Sequence, residues 1–238
     1  MTKVAEKKLD RVAASLAGHD GFTLIPDERL LAINCAMQRL HEVAGERVRG
    51  REAVLVSATI GLTERDCVAP AQWGEGLRGL SQIHCGFCAD AAAPAQAQIL
   101  SAVRAAIDLR LEEKGSVVVL FAGDGIASFA ESAEALHMAA SLHLPALFYF
   151  MHGLENAEPT TRQVEIMLEK SAALQIPAMA VDGHDAVAVY RVATESLAHA
   201  RRGHGPTAIF CEPFPFDSSP EAGNPLARMQ AYLRRKGL

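Results

Sequence analysis

From Pro26 onward, Leu30, Leu31, Ile33, Met37, Leu40 and Val43 recur at spacings of three and four, the period of one helical face. Asp27 stands just ahead of this run and is the expected N-cap. An Ala- and Val-rich stretch at 52–60 fits a strand or a buried helix on local signals alone. Residues 70–90, richer in Gly, Trp and Cys, read as loop. The Ala-rich stretch 91–113 carries Ile99, Val103, Ile107 and Leu111 on one face and predicts a helix. Val117-Val118-Val119-Leu120-Phe121 is a continuous apolar run, the pattern of a strand buried on both faces. It ends at Gly123-Asp124-Gly125, ahead of a predicted helix at 129–142, Pro145 and a second apolar strand at 146–151. Strand, helix and strand within about 35 residues make a βαβ unit, which implies a parallel sheet. Beyond it the pattern predicts a polar loop (154–163), a helix (164–174), a strand (176–181) and a helix (186–201). A strand (207–212), a loop (213–224) and a terminal helix (225–236) follow. The economical reading is one doubly wound α/β domain over 26–238, preceded by a polar arm at 1–25 that is mobile or docks on a partner.

Half of the 238 residues are hydrophobic and 21% are charged, which excludes disorder for the bulk of the chain. A net charge of −5 argues against nucleic acid as the main partner. No apolar run approaches the about 18 residues of a membrane span, and the amino-terminal residues lack a secretory h-region. A cytoplasmic protein is expected. Cys35, Cys67, Cys85, Cys88 and Cys211 are odd in number, so a disulfide framework is not expected. Cys85 and Cys88 form a lone CxxC without the partners of a zinc site, and the plain reading is unpaired thiols in a loop. His137 and His143 lie six residues apart, which does not put them on one helical face. Lys7, Lys8, Arg201 and Arg202 read as solvated charge.

The candidate chemistry sits at Gly123-Asp124-Gly125. In open parallel sheets, ligands bind at the carboxyl ends of strands. Glycines let the backbone approach a ligand, and the free N–H groups of the next helix favour an anion such as a diphosphate. An aspartate there can hold a hard cation that bridges phosphate oxygens. The tripeptide alone is equally a tight turn with a capping Asp. His152, after the second strand, is a further loop residue placed to approach a ligand or simply to fill the strand end.

The surroundings carry a resemblance. Gly123-Asp124-Gly125, then Glu134-Ala135-Leu136-His137-Met138-Ala139-Ala140, then Leu144-Pro145-Ala146-Leu147-Phe148 stand in order without a gap. Gly50, Glu52, Ala53 and Val54 precede them, with Ala97-Gln98-Ile99. Asp182-Gly183 with Ala188-Val189-Tyr190, Gly205-Pro206-Thr207, Asn224-Pro225 with Arg228, and Lys236-Gly237-Leu238 follow. Over 26–238 this resembles the alpha subunit of thiamine-diphosphate-dependent 2-oxo-acid dehydrogenases of the pyruvate and branched-chain type. The resemblance implies a three-layer α/β/α fold with a mainly parallel sheet, and it makes 52–60 a helix. It also implies thiamine diphosphate and Mg²⁺ bound in a cleft shared with a beta-type subunit, which would supply the activating glutamate for decarboxylation of a 2-oxo acid. By that resemblance Gly123, Asp124, Gly125 and Ile126 are the candidate cofactor-binding positions and Asp124 the candidate metal ligand. A homodimer or a pairing with a beta-type dehydrogenase subunit is expected, with the Ala-rich helices 91–107 and 131–140 offering small side chains for close packing.

The departures fall on the chemistry. The family's second metal-binding side chain, an asparagine, aligns with Gly153, inside Met151-His152-Gly153. Glu155 or Asn156 would replace it only through a shift of the loop. An asparagine after the GDG turn is Ser128, a Tyr-Arg pair that meets diphosphate falls on Gln72 and Trp73, and a histidine after the last strand falls on Asp217. Without the guanidinium, the diphosphate has one bidentate partner fewer. An alpha-type subunit with impaired cofactor binding is expected, the alternative being a silent structural or regulatory pseudo-subunit.

Overall fold

The computed structural model describes residues 25–69, 74–87, 95–112, 115–123, 133–155, 161–214, 221 and 223–238. The arm at 1–24 lies outside the described residues. Helix α1, Asp27–Ala44, buries Leu30, Ile33, Met37 and Leu40. Its N-cap is Pro26, so Asp27 does not cap it. Asp27 lies instead in the first turn, where a carboxylate favours the helix dipole, and accepts from Lys236 Nζ at 2.7 Å. A 3-10 turn, Gly45–Val48, leads to α2, Glu52–Thr59, whose residues are all buried. Strand β1, Cys67–Ala69, helix α3, Gly74–Arg78, and strand β2, Gly86–Phe87, come next. The loop expected at 70–90 is therefore corrected in part: it holds a short helix and a parallel edge strand.

The remaining order is α4 (Ala95–Leu111), β3 (Val118–Ala122), α5 (Ala133–Ser141), β4 (Ala146–Met151), α6 (Thr161–Ala173), β5 (Ala178–Asp182), α7 (Ala186–Arg201), β6 (Thr207–Glu212) and α8 (Pro225–Lys236). The ends have local causes. Asp185 caps α7 by accepting from the N–H groups of Val187 and Ala188. Asn224 caps α8 with Pro225 following it, and Gly237 at φ 80° ends that helix in the left-handed region.

Among the described residues all pairings are parallel, in the order β2-β1-β3-β4-β6-β5. Strand alternation divides the core into two. Val119, Phe121, Leu147, Tyr149, Met151, Ile209 and Cys211 join α1, α2 and α7 on one face. Val118, Leu120, Phe148, Phe150 and Phe210 join α4, α5 and α6 on the other. The result is the expected three-layer α/β/α sandwich. Covered on both faces, the central strands β3, β4 and β6 are buried at every position; β3 and β4 are accordingly apolar throughout, and β6 confines its polar residues, Thr207 and Glu212, to its two ends.

At the amino end of β1, Asp66 is buried and anchors three segments. It accepts from Thr63 N and Oγ1, from Val117 N at 2.9 Å, and from Arg201 Nη2 at 2.6 Å. The carboxylate thereby ties the start of β3 and the end of α7 to β1.

Candidate functional site

The carboxyl end of the sheet is built on β3, β4, β5 and β6. Gly123 follows β3 directly, so the expected turn begins at a strand's carboxyl end. Asp124, Gly125 and Ile126 lie outside the described residues, as do Gln72, Trp73, Ser128, Asn156 and Asp217.

The loop after β4 is described through Glu155, and it is clamped. His152 N donates to the Cys211 carbonyl at 3.0 Å, so the loop leaves the sheet along β6. Gly153 stands at φ 64°, a left-handed conformation that favours glycine. Leu154 is buried, and its carbonyl accepts from His184 Nε2 at 2.8 Å. That bond fixes the proton of His184 on Nε2, since a carbonyl only accepts. Gly183 and Gly50 close around the same residue. A Cβ on Gly183 would meet Leu154 Cδ2 at 2.5 Å, and one on Gly50 would meet the Leu154 carbonyl carbon at 2.7 Å.

Glu155 completes the clamp. Its Oε2 lies 2.6 Å from Arg51 Nη2, at the start of α2. Burial acts to raise the Glu155 carboxyl, but its own backbone N–H, the Arg51 guanidinium and nearby His152 outweigh it and hold the group below its ordinary value. Glu155→Gln is expected to cost no more than about 1 kcal/mol, because the carboxylate is 44% exposed and screened. The sign follows from the lowered pKa. The contribution is present above the unfolded carboxyl pKa of about 4.3 and disappears as pH falls through the folded value. Urea unfolding of wild type and variant should therefore separate at pH 7, and the difference should shrink as the pH is lowered below about 4.3.

These contacts decide what the corner can hold. Gly153 brings no side-chain oxygen to the metal position that the resemblance implies, and the Glu155 carboxylate is turned onto Arg51. On this described side the donor set does not fit a Mg²⁺ held in that way.

Two sequence motifs do meet. Asp182 Oδ2 accepts from Arg228 Nη1 at 2.6 Å, and Asp185 Oδ2 from Arg228 Nη2 at 3.2 Å. The ion pairs fasten α8 to the end of β5, beside the clamp. The contacts that sequence reading missed, Arg51 with Glu155 and His184 with Leu154, join residues far apart in the chain. The sequence signals for them were a charged residue between Gly50 and Glu52 and a histidine directly after Asp182-Gly183. Cys85 is a free thiol pushed up to about 12 by burial, with Cys67 and Asp66 nearby, so it is not poised as a nucleophile. Cys88 lies outside the described residues. His137 and His143 are exposed.

A family model described as dehydrogenase E1 component matches residues 82–214. The chain is 30% identical over 229 residues to the 3-methyl-2-oxobutanoate dehydrogenase subunit alpha of Mycobacterium tuberculosis, with 80% of this chain and 62% of that one covered. It is 30% identical over 189 residues to the pyruvate dehydrogenase E1 component subunit alpha of Staphylococcus aureus, covering 70% of this chain and 48% of the relative. It thus spans less than two thirds of either relative. Among solved structures, benzoylformate decarboxylase from Polynucleobacter necessarius matches with a TM-score of 0.50 and 13% identity, over 68% of this chain and 32% of the other. A protein from Mycobacterium smegmatis described as thiamin-diphosphate-dependent matches with a TM-score of 0.50 and 19% identity, over 67% and 32%. These two likenesses speak to the fold alone.

Proposed function

We propose, from the premise that this chain belongs to the dehydrogenase E1 component family, that it acts as an alpha-type subunit of a 2-oxo-acid dehydrogenase assembly with an impaired cofactor site. It keeps the family's architecture, docks on a beta-type subunit or a second copy of itself, and holds thiamine diphosphate–Mg²⁺ weakly or not at all. The observation that carries this reading is the corner after β4: residue 153 is glycine, and the neighbouring carboxylate is bound to Arg51 at 2.6 Å. A diphosphate leaving water needs a cation and oriented donors to offset its desolvation. With that side-chain ligand gone, Asp124 is the one carboxylate among the candidate positions Gly123, Asp124, Gly125 and Ile126, and a carboxylate repels a diphosphate unless a cation lies between them.

The relatives are named as alpha subunits, which supports a partner of the beta type. A cytoplasmic assembly goes with that reading. Among the described residues no helix is long and apolar enough to cross a membrane. Exposed Leu100 on α4 and Met138 on α5 sit on the Ala-rich helices proposed for docking. The alternative, a catalytically silent structural or regulatory pseudo-subunit, rests on the same corner and differs only in whether any turnover survives in the assembly.

Calorimetric titration with thiamine diphosphate, in Mg²⁺ and in EDTA, separates these readings from an intact site. The expected result for the chain alone is a Kd weaker than about 100 µM, with Mg²⁺ adding little, and no release of CO₂ from 2-oxo acids. Gly153→Asn alone is expected to tighten binding by no more than about tenfold, because Arg51 still holds Glu155. A Kd below about 10 µM that depends on Mg²⁺ overturns the proposal. Repeating the titration and the CO₂ measurement with a beta-type subunit distinguishes an impaired enzyme from a silent one.

A further inference from the structure

The end of the sheet opposite Gly123 carries a second feature. A cavity of about 290 Å³ opens at the amino ends of β3 and β4, lined by Arg110, Ser116, His143, Arg201 and Arg202. Arg110, in the last turn of α4, donates to the His143 carbonyl at 2.6 Å and meets no carboxylate among the described residues. Arg201 is held by buried Asp66. Arg202 makes no side-chain hydrogen bond or ion pair among the described residues. Two guanidinium groups with no carboxylate partner among the described residues and a third anchored by Asp66 therefore share one cleft, in a chain of net charge −5. No acid is among its described lining residues. Glu64 and Glu112 line a separate hollow beyond Ser116, together with Arg65.

The backbone around the cleft is set. His143 is a non-glycine residue at φ 48°, and Gly205 packs beneath it, where a Cβ would lie 3.4 Å from the His143 Cα. Such left-handed conformations persist where the surroundings impose them. Near the end of α7 the carbonyls of Ala198, His199 and Ala200, which would repel an anion, are taken up by the N–H groups of Arg202, Gly203 and His204. Ser116, 3% exposed, adds a hydroxyl to the wall.

We propose that this cleft binds the phosphate group of a small organic phosphate. Planar guanidinium forks match phosphate oxygens bidentately, which a scatter of surface lysines does not do. The volume lies at the lower limit of small-molecule pockets, about 300–1,000 Å³, so it suits a phosphate on a short carbon skeleton rather than a nucleotide. This site is independent of the cofactor end, and it replaces the reading of Arg201 and Arg202 as simple solvated charge.

The test is a titration of the full chain with inorganic phosphate and with glycerol 3-phosphate, at ionic strength held constant with chloride, read by thermal shift and calorimetry. Both ligands are expected to raise Tm, glycerol 3-phosphate at least as effectively. Arg202→Ala, which breaks no described hydrogen bond or ion pair, is expected to weaken binding about tenfold. Arg104→Ala, an exposed position on α4 outside the cleft, is expected to leave it unchanged. An equal rise with chloride alone, or an equal loss in both variants, overturns the proposal. Binding of inorganic phosphate without glycerol 3-phosphate overturns the assignment to an organic ligand.

Discussion

Asp66→Ala is expected to destabilise the protein by about 3–5 kcal/mol, the cost of removing one partner of a buried ion pair. Asp66 is 2% exposed, and its two oxygens satisfy Thr63 N, Thr63 Oγ1, Val117 N and Arg201 Nη2. Alanine leaves the Val117 N–H buried without its acceptor and strands the Arg201 guanidinium, which is 34% exposed. For a chain of this size, 1 kcal/mol moves Tm by about 2–4 °C, so Tm should fall by roughly 6–20 °C. Arg201→Ala is the informative control. It leaves Asp66 with its three neutral donors, so it should cost less than half as much. Equal costs in denaturant unfolding would mean that the ion pair, and not the anchoring of β3, carries the stability.

Gly50→Ala is expected to cost about 2–4 kcal/mol through two separate effects. Residue 50 sits at φ 75°, where an L side chain costs about 1–2 kcal/mol. The new Cβ also overlaps the Leu154 carbonyl, which is fixed by His184, so a further about 1–3 kcal/mol of overpacking follows. Gly183→Ala meets chiefly the far end of the Leu154 side chain, with the Cys211 Cβ at 3.3 Å beside it, and it should cost less. A double-mutant cycle with Leu154→Ala separates the two. Truncating Leu154 removes the nearest atoms that Gly183→Ala strikes but leaves the backbone that Gly50→Ala strikes. Coupling is expected for the 183–154 pair and near zero for the 50–154 pair. Strong coupling at both would show that the loop after β4 moves as a unit and is not clamped by its backbone.

The fold was largely legible in the chain because its strongest signals are buried strands and capped helices. Val117–Phe121 and Ala146–Met151 are apolar throughout because both faces are covered, and helices α7 and α8 begin where Asp185 and Asn224 can cap them. The boundaries of α7, β6 and α8 agree with the pattern residue for residue. What escaped reading was short. Cys67–Ala69 and Gly86–Phe87 span too few residues for a period-two pattern to develop, and they are strands only because partners are in place, β3 for the first and β1 for the second. Asp27 failed as a cap because Pro26 already occupies that place. At the site, a missing asparagine at 153 could be read from the chain, but the Arg51–Glu155 bridge could not, since the two residues are 104 positions apart. Charge at each position was visible, whereas their meeting depends on how the residues just before α2 pack against the loop after β4.

The strand order has a consequence for how the molecule is made. β6 is the last strand among the described residues, yet it lies between β4 and β5 and hydrogen-bonds to both. During synthesis, β4 emerges with one side already paired to β3 and the other open. Its partner follows roughly sixty residues later, a wait of about 3–12 s at about 5–20 residues per second. Through that interval Leu147, Phe148, Tyr149 and Phe150 present an open apolar edge, the kind of surface on which nascent chains associate. Slowed elongation between 151 and 207, or premature termination within that span, is expected to prolong that exposure and to lower the yield of folded protein.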